Sequence, residues 1–123
     1  MKTTVRALAA MALLPLATLP QPAPVVAQQA PAAVVYSHLT FYTEQGPMAD
    51  GTWTHDGAAA CGADFPMGSV LELPDGSIVV CEDTGYLARN QVDVWRASLA
   101  EGWDWTHSWG DYGDVIVLAW GGS

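Results

Sequence analysis

Three aspartates that could do acid–base chemistry, Asp64, Asp83 and Asp93, fall in one stretch, residues 61–95 of the 123-residue chain. A carboxyl with a raised pKa can give or take a proton at neutral pH, and two neighbouring carboxyls can divide the acid and base roles between them. Each aspartate also has a purely structural reading. Asp83 precedes Thr84-Gly85 and Asp64 precedes Phe65-Pro66, positions where aspartate often only forms a turn. Asp93 stands in the strand-like run Gln91-Val92-Asp93-Val94-Trp95, where aspartate is disfavoured. It therefore needs a reason, either a buried hydrogen bond or chemistry.

The elements that position these groups begin after an N-terminal leader. Lys2 and Arg6 precede an apolar run from Ala7 to Leu19, and Val25-Val26-Ala27 offers small residues for cleavage. This is the pattern of a secretory signal peptide over residues 1–27, with cleavage after Ala27, or alternatively Ala30 or Ala33. The apolar run is shorter than the roughly 20 residues of a membrane span. The competing readings are an uncleaved anchor and a buried helix. Residues 28–33 read as a Pro/Ala/Gln-rich linker, and the domain as 34–123.

Removing 27 of 123 residues leaves 96, with Arg89 and Arg96 against thirteen acidic residues, a net charge of −11. That excludes nucleic acid or an anionic membrane as the main partner, because both select basic patches. A secreted, monomeric protein with a neutral or mixed-charge ligand is expected. In an exported chain Cys61 and Cys81 are expected to pair. The alternatives are free thiols or a metal site with His38, His55 or His107. No close pairing of ligands supports a metal, and no cofactor is expected.

Val34–Thr43 predicts a first strand with Val35, Ser37, Leu39 and Phe41 on one face and Tyr36, His38, Thr40 and Tyr42 on the other. Residues 44–56 read as a loop whose Trp53 is expected to cover a small core. Gly57–Gly62 is a short small-residue strand. Ser69–Leu73 and Ser77–Glu82 flank Pro74-Asp75-Gly76, a hairpin turn. Gln91–Trp95 and Asp114–Trp120 add strands. Ser98–Trp105 reads as a short helix, with Ser98 and Glu101 as a capping box. The sum is an all-β domain with one short helix, six strands and no βαβ rhythm, best closed as a barrel.

Thr40–Thr43, Ala59–Ser69, Glu82–Gly85, Val92–Trp95 and Ser108–Val117, taken in that order, resemble the 3D (three-aspartate) domain. That resemblance covers roughly Val35 to Trp120. It implies a double-psi β-barrel akin to membrane-bound lytic transglycosylase A, RlpA-type proteins and expansins. It implies action on peptidoglycan or another polysaccharide, with one carboxyl serving first as acid and then as base while a sugar hydroxyl closes an anhydro ring. By position Asp93 becomes the acid/base, Asp83 the neighbour that tunes it, and Asp64 a support. An expansin-like module that binds glycan without cleavage is the alternative. The segment 86–91 is shorter than usual for the family, and 103–107 looks inserted, which alters the groove.

Pyranose faces stack on aromatic rings, so Tyr42, Trp95, Trp103 and Trp105 are expected ligand contacts, with a lid over the barrel end as the competing reading for Trp103 and Trp105. Trp109, in the family's Ser-Trp-Gly position, is expected in the core.

Overall fold

The computed structural model describes residues 33–122. The expected signal peptide and residues 28–32 of the linker lie outside the described residues. Ala33, assigned to the linker from sequence, already belongs to the first strand.

Six strands close into a barrel in the order β1-β5-β2-β4-β3-β6. They are β1 (Ala33–Tyr42), β2 (Ala58–Cys61), β3 (Val70–Glu72), β4 (Ile78–Asp83), β5 (Gln91–Trp95) and β6 (Tyr112–Ala119). One helix, α1 (Leu99–Trp109), sits between β5 and β6 in sequence. The all-β class with a single short helix thus follows the sequence reading. Two neighbouring pairs, β1 with β5 and β2 with β4, run parallel, and the rest are antiparallel.

Period-two alternation fills the interior. Leu39, Val79, Cys81, Val92, Val94, Val115 and Val117 are all buried and form the core with Phe65, Leu71 and Leu73. The four residues of β2 are buried throughout, and small side chains suit a strand covered on both faces. The β3–β4 hairpin turns as its sequence requires. Gly76 takes φ 82°, and Asp75 Oδ1 accepts from the Ser77 N–H at 3.0 Å.

Cys61 and Cys81 form a disulfide with Cα atoms 5.5 Å apart. It joins β2 to its parallel neighbour β4 and so ties the hairpin sideways to the strand before it. This closes the metal-site alternative for these two cysteines.

The helix runs one turn further than predicted. Ser98 caps it, its Oγ accepting from the Glu101 N–H at 3.2 Å. Only this half of the expected capping box forms. Gly102 is what lets α1 dock on β1. A Cβ there would lie 2.0 Å from the Phe41 ring. The Trp105 indole N–H donates to Asp75 Oδ2 at 3.0 Å, pinning the helix to the hairpin turn.

Candidate functional site

Asp93 is the only polar side chain of β5 flanked on both sides by core residues. Val92 and Val94 point into the barrel, so alternation turns Asp93 to the outer face. Its cross-strand partners are Thr40 on β1 and Ala60 on β2. Ala60 in turn lies opposite Asp83 on β4. A row Thr40–Asp93–Ala60–Asp83 therefore crosses four adjacent strands.

Asp83 owes its place in that row to a β-bulge. Regular alternation from Val79 and Cys81 would turn Asp83 inward. The register shift between Ala59 and Ala60 re-aims it toward the cleft that holds Asp93. With alanine between them, the two aspartate Cα atoms are two strand spacings apart, about 9.6 Å.

The cleft measures about 260 Å3 and is lined by Tyr42, Glu44, Ala60, Asp83, Thr84, Gly85, Leu87 and Asp93. Of its three carboxyls Glu44 is exposed, and the two aspartates stand differently in the cleft. Asp83 is occupied: Oδ1 accepts from the N–H groups of Ala49 at 3.0 Å and Thr84 at 2.9 Å, and Oδ2 from the Tyr42 hydroxyl at 3.4 Å. Asp93 makes one bond, Oδ1 accepting from Thr40 Oγ1 at 2.8 Å. Its Oδ2 accepts no hydrogen bond from the described residues.

Burial raises the Asp93 pKa above the usual carboxylate range, and the negative charge of Asp83 adds to this. The Thr40 hydrogen bond opposes the shift without cancelling it. Burial and the Asp83 charge also raise the Tyr42 phenol, so Tyr42 remains a hydrogen-bond donor.

The hydrogen bonds around Asp93 direct where a proton on it would sit. Gln91 Oε1 accepts from the Ala88 N–H at 3.0 Å, which fixes the amide orientation and leaves its NH2 facing Thr40. Gln91 Nε2 donates to Thr40 Oγ1 at 3.0 Å. Thr40 must then spend its own hydrogen on Asp93 Oδ1. A proton held by Asp93 sits on Oδ2, the oxygen without a protein partner.

Asp64 stands apart from this cleft. Its Oδ1 accepts from Arg89 Nε at 3.1 Å, and its N–H donates to the Arg89 carbonyl, joining two loops.

The aromatic expectations need correction. Trp95 shares the Asp93 side of β5 but is covered, and its indole N–H donates to the Glu44 carbonyl at 2.9 Å. Trp105 is buried in the core with the Arg96 guanidinium over its ring. Neither presents a stacking face to solvent. Trp53 and Trp109, expected as core cover and core, are 63% and 45% exposed. Trp109 moves outward because the helix continues to it. Tyr42 lines the cleft, and Trp103 is half exposed beside β1.

Sequence reasoning missed the roles of Thr40 and Gln91. The signal was present in the alternation, which put Thr40 with His38 and Tyr42, and Gln91 with Asp93. What was missing was the parallel register of β1 and β5 that makes Thr40 the partner of Asp93.

Fold and site together define a small all-β barrel with an aspartate of raised pKa, engaged at one oxygen only, in an open cleft. Comparisons with protein-family models, curated proteins and solved structures find no match.

Proposed function

We propose that this chain is an exported protein of the 3D-domain kind, a double-psi barrel that cleaves glycosidic bonds of peptidoglycan by a lytic-transglycosylase-like reaction. The observation that carries the reading is the asymmetry of the two cleft carboxyls. Asp93 is half-buried, biased toward its protonated form and open at Oδ2. Asp83 is held by three donors. Of the two aspartates only Asp93 is open, which suits a mechanism in which the same group acts as acid and then as base; Glu44, the third carboxyl of the cleft, is exposed and adds negative charge near Asp93. The two parallel strand pairs of the barrel are compatible with double-psi connectivity.

In the first step Asp93 Oδ2 gives its proton to the leaving glycosidic oxygen as the bond to the anomeric carbon breaks. In the second the Asp93 carboxylate takes the proton of a hydroxyl on the same sugar as that oxygen closes on the anomeric carbon. Water is neither consumed nor released. Asp83 keeps a negative charge near Asp93 and holds the Tyr42 hydroxyl in the cleft.

Incubating the protein with purified peptidoglycan tests this. Soluble fragments released by the wild type and not by Asp93→Asn support cleavage. Sedimentation with the polymer and no soluble product favours the second reading, an expansin-like binding module.

A further inference from the structure

A second depression lies between β1 and α1, on the other side of Thr40 from the Asp93 cleft. It measures about 280 Å3 and is lined by Leu39, Thr40, Phe41, Trp103, Thr106 and Asp111. That is near the lower end of small-ligand cavities, ~300 Å3.

We propose that this groove is a sugar-binding subsite that takes one neutral pyranose unit of the glycan chain whose neighbouring bond lies at Asp93. The proposal rests on the glycan-active reading and deepens it.

Four features of the groove converge. Its wall is a large aromatic ring that stays 53% exposed. Trp103 is nevertheless held firmly, edge-on to Phe41 at 5.3 Å and stacked with His107 at 5.9 Å. A fixed, exposed indole beside aliphatic carbon matches the apolar face of a pyranose ring. Gly102 makes this placement attainable, since any side chain there would push α1 off Phe41 and displace Trp103.

The polar groups fit hydroxyl recognition. Asp111 contributes an exposed carboxylate at the rim, an acceptor for sugar hydroxyls. Thr106 Oγ1 is shielded from solvent and has no hydrogen-bond partner among the described residues. Buried hydroxyls are ordinarily paired, so this one calls for an explanation. Threonine in a helix populates two χ1 rotamers, and Thr106 lines the groove.

Charge selects the ligand further. The only ionised group lining the groove is an aspartate, which repels polyanions and admits a neutral ring. Thr40 lines this groove, and its hydroxyl donates to Asp93 Oδ1 at 2.8 Å, which links the groove to the acid through one side chain.

The test uses chitotetraose as probe, with the intact protein and NMR detection of indole and amide signals. Binding by the wild type should shift the Trp103 indole N–H and the Thr106 amide and leave Trp109 still. Trp103→Ala and, independently, Thr106→Val should weaken binding, the tryptophan change by about tenfold or more. Trp109→Ala should match the wild type. No saturable shift at Trp103 or Thr106, or unchanged affinity in both groove variants, overturns the subsite even if peptidoglycan is cleaved. Groove binding with no product from peptidoglycan leaves the subsite standing and removes the catalytic reading.

Discussion

Asp83 and Asp93 share one cross-strand neighbour, Ala60, and differ in what holds them. Asp83 is engaged at both oxygens; Asp93 is engaged at one. This difference separates a charge held in place from an acid able to act, and several measurable consequences come from it.

Asp93→Asn should raise stability at neutral pH while removing activity. The folded-state pKa of Asp93 is raised, so its stabilising contribution is complete below the unfolded value, about 3.9, and is lost as pH rises through the folded value. As pH rises through the folded value, ionising Asp93 in its half-buried place is a burden that asparagine relieves, with Thr40 still donating to the amide oxygen. Thermal melts should show a higher Tm for the variant at pH 7, and the gap should vanish below about pH 4. For a domain of this size each kcal/mol moves Tm by about 4–8 °C. Activity should fall by about 10²–10⁴-fold, the usual scale for a lost acid–base group.

Thr40→Val removes the donor that opposes the Asp93 shift, so the Asp93 pKa should rise further. Gln91→Leu frees the Thr40 hydroxyl to turn away and should move Asp93 in the same direction by less. The double variant should match Thr40→Val alone, because Gln91 acts only through Thr40. Carboxyl 13C titrations of the four proteins decide this. Additive shifts would contradict the relay.

His55 clasps the loop that supplies the Ala49 N–H to Asp83. Its Nδ1 meets the Asp56 carbonyl at 2.7 Å and its Nε2 the Glu82 carboxylate at 2.6 Å. The carbonyl can only accept, so Nδ1 carries a proton, and the Glu82 carboxylate beside Nε2 favours the charged ring. The Asp56 bond and, after it, the Glu82 charge raise the His55 pKa. The clasp is therefore complete below the unfolded value, about 6.5, and is lost as pH rises through the folded one. Protection of the Ala49 and Asp50 amides from exchange should drop across that range. His55→Ala should abolish the pH dependence.

Gly102→Ala sets two effects against each other. Helix propensity favours alanine by about 1 kcal/mol. Overpacking against Phe41, where a Cβ would sit 2.0 Å from the ring, costs about 1–3 kcal/mol. The clash should win, giving net destabilisation in denaturant melts. Replacing both cysteines by serine should cost about 3 kcal/mol, since the bridge spans a sequence separation of 20.

Much of the frame was legible in the sequence because it depends on local patterns. Alternation placed Leu39, Val92 and Val94 inside, and Pro74-Asp75-Gly76 announced its turn. The site was only half legible because it depends on register. That Thr40 faces Asp93 follows from a parallel pairing between strands some fifty residues apart, and that Asp83 turns outward follows from a bulge. The tryptophans misled for a related reason: composition says how many large rings exist, whereas burial depends on what docks over them. Trp95 and Trp105 were covered by the 44–56 loop and by the helix's own packing, while Trp53 and Trp109 were left out.

The most direct test of the acid assignment is mass analysis of soluble products from purified peptidoglycan. The account predicts anhydro-muropeptides, lighter by one water than hydrolysis products, from the wild type and none from Asp93→Asn. Equal yields from both proteins, or no soluble product from the wild type, would contradict it.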